Sequence, residues 1–232
     1  MFTSIKEEFE KLQQSAISGD FLTTITELDK LLERKDLSLE DKLYLKLFKS
    51  EVISGLNQIG LDGYTYEEGI KLAEEVVQKI GEIDDEYLRI GAYMILGTSY
   101  LNVYNYAKAI ETYEHNKPKF RKLKPISGIF YLRLQALDYI FEGIVPFLKT
   151  YIDENATDAE KAKGFQLTMK SERFCEENNL IIYQVASLNN IAAFQYFMGD
   201  LNAYHETRLK MDAVAKSTGN KLYYASTLSG LA

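Results

Sequence analysis

Apolar residues recur at steps of three and four positions along almost the whole chain, and this period places them on one face of an α-helix. Sustained alternation of apolar and polar residues between turn signals, the pattern of β-strands, is nearly absent from the sequence. The pattern therefore predicts an all-α protein. The predicted helices cover roughly residues 2–17, 21–34, 39–57, 66–80, 84–103, 106–117, 126–142, 158–177, 181–198, 201–217 and 221 to the end.

Short turns separate the predicted helices, and several are marked by a glycine or by a residue that replaces it. The clearest of these turns lie at Gly19, Gly60, Tyr104, Gly143 and Gly199. They are spaced about 40 residues apart, except that the last interval is longer by about 15 residues, which an insertion before Asp158 would explain. A recurring interval of this length indicates a repeat, and Asp158 is expected to cap the helix that follows the insertion.

The helix before each turn supplies a register for this repeat. Two packed helices need a small residue where they cross closely and bulky residues one turn to either side. Seven residues before the turns stand Ile53, Gly97, Ala136 and Ala192. Three of these four residues are small, so the register predicts close helix crossings at those three positions.

The most specific motif lies between Tyr93 and Tyr113. Its members are Tyr93, Leu96, Gly97, Tyr100, Ala109 and Tyr113. This arrangement resembles the signature of the tetratricopeptide repeat (TPR) family, in which these positions pack two antiparallel helices together. Residues 188–204 resemble a weaker second copy. The interval of about 40 residues is similar to long-repeat variants of a family whose usual unit has about 34 residues.

The resemblance implies an α-solenoid of antiparallel helical hairpins, wound into a right-handed superhelix. It also implies a single domain over residues 1–232, with about five hairpins and a partial repeat at the C-terminal end. The final segment, residues 221–232, would then expose an uncovered apolar face. Self-association through this end is expected if no further repeat follows.

Composition narrows the function classes. The formal net charge of −7 disfavours nucleic acid and anionic lipid surfaces as ligands, and the basic run between Lys117 and Lys124 suits a solvated turn. The N-terminal residues lack the apolar core of a signal peptide, and no window is continuous enough in apolar residues to span a membrane. The single cysteine, Cys175, fits a reducing compartment. Together these features predict a cytoplasmic protein.

No constellation of residues in the sequence indicates catalysis. His115 and His205 are about 90 residues apart and are expected to be surface residues, so neither a metal site nor a cofactor is predicted. Cys175 lies beside acidic residues, which would raise the pKa of its thiol and make it inert. Asp153 and Asn155 begin a calcium-like spacing, but the loop lacks the required glycine and terminal glutamate. We therefore predict a protein that is not an enzyme.

If the family geometry holds, the first helix of each hairpin lines a concave surface. The residues placed on it are Met94, Thr98, Leu101, Asn102, Phe130, Arg133, Leu137, Phe141, Asn189, Tyr196 and Phe197. This groove would be apolar and aromatic, with Arg133 and Asn189 as polar contacts, and it suits an amphipathic helix or an extended peptide. The Lys and Asn pair by which chaperone-binding members of the family hold a terminal carboxylate is missing. The alternative that these residues are core residues stays open.

The resemblance and the composition favour a non-enzymatic scaffold or adaptor that binds a protein or peptide. The first alternative is a regulatory domain that senses a signalling peptide, although no DNA-reading helix is attached in this chain. The second alternative is an enzyme built on a helical array. We also expect Arg133→Ala to leave the fold intact, because the groove assignment makes Arg133 accessible.

Overall fold

The structure is a computed structural model that describes residues 5–58, 62–152, 156–221 and 224. The described residues form α-helices and two short 3-10 turns, and no strand occurs among them. The helices are α1 Lys6–Ile17, α2 Phe21–Leu32, α3 Leu39–Gln58, α4 Tyr66–Lys79, α5 Glu86–Asn102, α6 Tyr106–Phe120, α7 Ile129–Leu148, α8 Asp158–Glu177, α9 Ile181–Phe197 and α10 Leu201–Ser217. The prediction of an all-α fold is confirmed.

The chain divides into two compact units, and the division falls inside α7. Unit 1 contains residues 1–16 and 20–131, and unit 2 contains residues 17–19 and 132–232. The single continuous domain expected over residues 1–232 stays a prediction. None of the described helices is both long enough and apolar enough to cross a membrane.

Unit 1 is built from helices that pack against their neighbours in the chain. α3 packs against α4 and α5 against α6, and the contacts between α2 and α3 and between α4 and α5 join these hairpins into a stack. The TPR-like motif supplies the α5–α6 contact, since Leu96, Gly97, Ala109 and Tyr113 are all buried. The small and apolar positions of the motif therefore act as the sequence pattern predicted.

The predicted turns are confirmed where α1 meets α2, α5 meets α6 and α9 meets α10. Gly19, Tyr104 and Gly199 have positive φ angles of 84°, 59° and 77°, the left-handed conformation that ends a helix. Tyr104 adopts this conformation without being a glycine, and the Asn105 side chain then caps α6 by accepting from the Lys108 N–H. The predicted turn at Gly60, the calcium-like residues Asp153 and Asn155, and the final segment from residue 222, except Tyr224, lie outside the described residues.

The predicted turn at Gly143 is wrong. α7 continues through Gly143 and Pro146 to Leu148, and a 3-10 turn at Lys149–Ile152 follows it. Gly143 serves a close crossing of α7 and α8, because a Cβ atom built on it would lie 3.1 Å from the Gly164 carbonyl oxygen. The insertion expected after Ile144 is thus partly helical. The sequence showed a glycine at the right interval, but the glycine is needed for helix contact and not for a turn.

The expected cap of α8 also differs. Thr157 is the N-cap residue, and its hydroxyl accepts a hydrogen bond from the Glu160 N–H at 3.2 Å. Glu160 in turn accepts one from the Thr157 N–H at 2.7 Å, which completes a capping box. Asp158 is therefore the first residue of the helix, where its negative charge still favours the positive end of the helix dipole.

Candidate partner-binding surface

The turn between α9 and α10 in unit 2 is fixed by a close set of backbone hydrogen bonds. Gly199 takes a positive φ, which allows the Asp200 N–H to donate to the Gln195 carbonyl at 2.9 Å. The Asp200 carboxylate then accepts from the Ala203 N–H at 3.1 Å and caps α10. The residues on both sides of this turn are therefore held at the end of two antiparallel helices, and their side chains are presented on a firm backbone.

Large apolar side chains surround this turn and face solvent. We call them the hairpin-tip cluster: Tyr196, Phe197, Met198, Leu201 and Tyr204. The first four have exposed fractions between 55% and 66%. The Tyr196 ring lies 6.0 Å from the Phe197 ring and 5.7 Å from the Tyr204 ring, measured between centroids. The aromatic members are therefore in contact with one another and form one continuous surface.

Aromatic packing anchors the helix that carries the cluster. Phe194, one turn before the end of α9, is buried and stacks on Phe147 with 3.8 Å between ring centroids. The Phe165 ring meets Phe194 edge-on at 6.0 Å. Because protein interiors are close-packed, this contact fixes where α9 ends and where the next residues point. Phe194 is the last buried residue of α9, and Tyr196 and Phe197 lie outside the core.

Polar contacts around the buried Glu172 side chain join α8, α9 and α10. The Glu172 carboxylate accepts hydrogen bonds from the Gln184 side chain at 2.8 Å and from the Lys210 ammonium at 2.9 Å. Burial alone would lower the pKa of Lys210, but the hydrogen bonds and charges of Glu172 and Glu176 together outweigh it, so that the pKa lies above its ordinary value. Each of the three helices supplies one partner of this network, which makes their packing register specific.

Arg208 connects α10 to α9 in the same unit. Its side chain is buried, and Nη1 donates to the Asn189 Oδ1 atom at 3.1 Å. Asn189, expected from the sequence to contact a partner, is exposed, although its amide oxygen accepts this hydrogen bond. The two cations of α10 closest to the cluster, Arg208 and Lys210, are both used in the packing of unit 2.

The eleven residues expected to line a groove do not share one environment. Five of them are buried in the core: Met94, Phe130, Arg133, Leu137 and Phe141. These five are core residues, which was the alternative that the sequence left open, because adjacent helices cover them. Thr98, Leu101 and Asn102 are half-buried on α5, and Asn189, Tyr196 and Phe197 are exposed. These three exposed residues are the part of the predicted set that a partner can reach.

Arg133 shows why the groove assignment fails for the buried residues. Its Nε atom donates to the Tyr183 hydroxyl at 3.0 Å, and both side chains are buried. Arg133 is therefore not accessible to a partner, and Arg133→Ala, expected from the sequence to leave the fold intact, would empty a filled site and remove a buried hydrogen bond. A charged residue on an apolar helix looked accessible in the sequence, but here it is a hydrogen-bonded core residue.

Met198, Leu201 and Tyr204 were missed by the sequence reasoning. Met198 directly precedes the predicted turn glycine, and Leu201 and Tyr204 follow it. The helix register assigned no role to residues in a turn. A run of five large apolar residues within nine positions across a Gly-Asp turn was the available signal. Turns are usually polar, so an apolar turn is itself an indication of a contact surface.

The histidines and the cysteine were the residues considered for metal binding and reactivity. No group of three or more His, Cys, Asp or Glu side chains able to hold a metal ion occurs among the described residues. His115 and His205 are exposed, as expected. Cys175 is buried, and burial raises the pKa of its thiol to about 12, although hydrogen bonds with Ser171 and Ser187 oppose the shift.

Solved structures similar to this chain include two of TPR-like repeats. The first contains the nearly identical TPR-like repeats of a protein described as a kinesin light chain from Podosopora anserina. Its sequence is 14% identical to this chain, and the TM-score is 0.48. The match covers 92% of this chain and 96% of that one. The second is a single-substitution variant of it, with 14% identity, a TM-score of 0.48 and coverage of 93% and 97%.

No protein-family model matches the chain, and no curated protein matches it. At 14% identity the likeness carries no information on ligands or partners.

Proposed function

We propose that this chain is a non-enzymatic scaffold that binds a protein or peptide, and that the hairpin-tip cluster is its main contact surface. The supporting observation is the exposure of Tyr196, Phe197, Met198 and Leu201 together on one rigid hairpin. Exposed apolar patches of this kind are costly in water, and they commonly mark interaction sites. Aromatic residues that become desolvated on binding are the usual anchors of interface energy.

Rigid presentation also supports a binding role. The turn hydrogen bonds, the Phe147–Phe194 stack and the Glu172–Lys210 contact hold the hairpin before any partner arrives. A preformed surface loses less conformational entropy on association than a flexible one. The half-buried residues Leu101 and Asn102 on α5 are proposed as secondary contacts within unit 1. A cytoplasmic location is proposed from the single cysteine and the acidic composition.

Affinity capture with the whole chain as bait tests this proposal. We compare the natural sequence with the double variant Tyr196→Ser/Phe197→Ser and with the control Leu22→Ser, which removes an exposed leucine from α2. The expected result is at least one protein captured by the natural chain and by the control but lost from the double variant. If the double variant captures every partner unchanged, or if the natural chain captures none, the proposal is refuted.

A further inference from the structure

We infer that the segment docking on the hairpin-tip cluster is a basic amphipathic one, with large apolar side chains flanked by Lys or Arg. This inference rests on the proposed function, because it assigns a chemical class to the partner of the same surface. The basic character of the partner is inferred from the distribution of charge around the cluster, because the apolar side chains alone do not indicate the charge of a partner.

Negative charge is the only formal charge close to the cluster in the sequence. From Ile181 to Thr207 the chain contains no Lys and no Arg, while Asp200 and Glu206 are both present and exposed. Of the next cations along α10, Arg208 is buried, and the exposed ammonium of Lys210 is paired with the carboxylates of Glu172 and Glu176. A partner therefore meets apolar side chains bordered by carboxylates, and positive charge at its rim is complementary.

The aromatic rings favour the same partner. The face of a tyrosine or phenylalanine ring attracts a cationic side chain, and this chain uses the contact internally, with the Lys170 ammonium 4.6 Å from the Tyr139 ring centroid. Among the described residues no Lys or Arg side chain lies over the ring of Tyr196 or Phe197. The Tyr196 ring contacts the rings of Phe197 and Tyr204, and the Phe197 ring contacts that of Tyr196. The outer ring faces can thus accept a cation from a partner.

A second copy of this chain is the other occupant to consider. The run from Lys117 to Lys124 carries five cations, but the apolar residues within it, Phe120 and Leu123, are buried. This run therefore offers charge without the apolar side chains that the hairpin-tip cluster would need to cover. A separate segment that combines both features fits the surface better.

Fluorescence anisotropy with designed peptides of about 18 residues, or five helical turns, tests the inference. One peptide has a Leu/Phe face and a Lys face, a second has the same apolar face with Glu in place of Lys, and a third scrambles the Lys peptide. We expect the full-length protein to bind the Lys peptide at least about tenfold more tightly than the other two. The scrambled peptide controls for attraction by the overall net charge of −7.

Variants localise the binding. Tyr196→Ser/Phe197→Ser and, independently, Met198→Ser/Leu201→Ser are expected to weaken the Lys peptide at least about tenfold, whereas Leu22→Ser leaves it unchanged. Glu206→Gln, at an exposed position, is expected to weaken it about two- to fivefold. All these positions are exposed, and circular dichroism confirms that each variant keeps its helix content.

Three results overturn the inference. The first is equal affinity for the Lys and Glu peptides, the second is unchanged affinity in both tip variants, and the third is a dimer in light scattering that Tyr196→Ser/Phe197→Ser abolishes. If affinity capture still yields a partner that depends on the cluster while the peptides show no charge preference, the proposed function stands and the inference fails. If no captured partner depends on the cluster, the proposed function fails.

Discussion

The close crossing of α7 and α8 in unit 2 gives a sharp test of the packing. A Cβ atom built on Gly164 of α8 would lie 2.5 Å from the Gly143 carbonyl oxygen of α7 and 3.3 Å from the Pro146 Cγ atom. Ordinary contact begins near 3.4 Å, so Gly164→Ala requires the two helices to separate by about 0.9 Å at this point. The obstacle is backbone, which no side-chain rotation can relieve.

The expected loss of stability follows from two opposing terms. Overpacking a well-packed contact costs about 1–3 kcal/mol, and a backbone obstacle favours the upper half of that range. Replacing a glycine inside a helix by alanine gains about 0.5–1 kcal/mol. We therefore expect Gly164→Ala to lower the free energy of unfolding by about 1–2.5 kcal/mol, and Gly143→Ala to change it in the same direction.

Urea unfolding followed by far-ultraviolet circular dichroism measures this change. Gly81→Ala is the matched control, because Gly81 is exposed and a Cβ atom built on it would meet nothing within 4 Å. We expect its unfolding midpoint to stay unchanged or to rise slightly. A Gly164→Ala midpoint at or above that of the natural chain would refute the close crossing.

Three further predictions concern single residues. Arg133→Ala is expected to lower the free energy of unfolding by about 1–3 kcal/mol in urea titration, since the Tyr183 hydroxyl loses its buried partner. Thr157→Ala removes the capping box of α8 and is expected to lower the free energy of unfolding by about 1 kcal/mol. The hydrogen bond from the Thr157 N–H lowers the pKa of Glu160, so the stability that the Glu160 carboxylate contributes is present above the ordinary pKa of 4.5 and is lost as the pH falls through the lowered pKa. Glu160→Gln should diminish this loss in an acid titration. Cys175 is expected to resist a thiol reagent at pH 8 in the folded protein and to react at once in denaturant, because its buried thiol has a pKa of about 12; rapid labelling of the native chain would contradict this.

The helices were predictable because their apolar period is continuous and their ends carry local chemistry. α8 and α10 begin and end where the sequence pattern placed them, at residues 158–177 and 201–217. Gly199 and Asp200 are adjacent, and Asp200 caps α10 through the N–H of Ala203, so the sequence alone indicates their turn. The buried TPR-like positions Gly97 and Ala109 were equally predictable, because a small residue at a helix crossing is a local requirement.

The candidate site was less predictable because burial depends on which helix covers a residue. Gly143 and Gly164 are 21 positions apart in sequence, and only the fold shows that each makes room for the other. Arg133 and Tyr183 form a buried pair across 50 positions, so nothing in the local pattern distinguishes Arg133 from an exposed residue. Tyr196 remained accessible for the opposite reason, since it lies beyond the last buried turn of α9.

The affinity of a purified captured partner for the natural chain and for Tyr196→Ala tests the central claim most directly. Truncation of an exposed aromatic anchor is expected to weaken binding by more than about tenfold, equivalent to at least about 1.4 kcal/mol, while Leu22→Ala leaves the affinity unchanged. Titration calorimetry gives both values at a single salt concentration. Equal affinities for the natural chain and Tyr196→Ala would contradict the assignment of the hairpin-tip cluster as the binding surface.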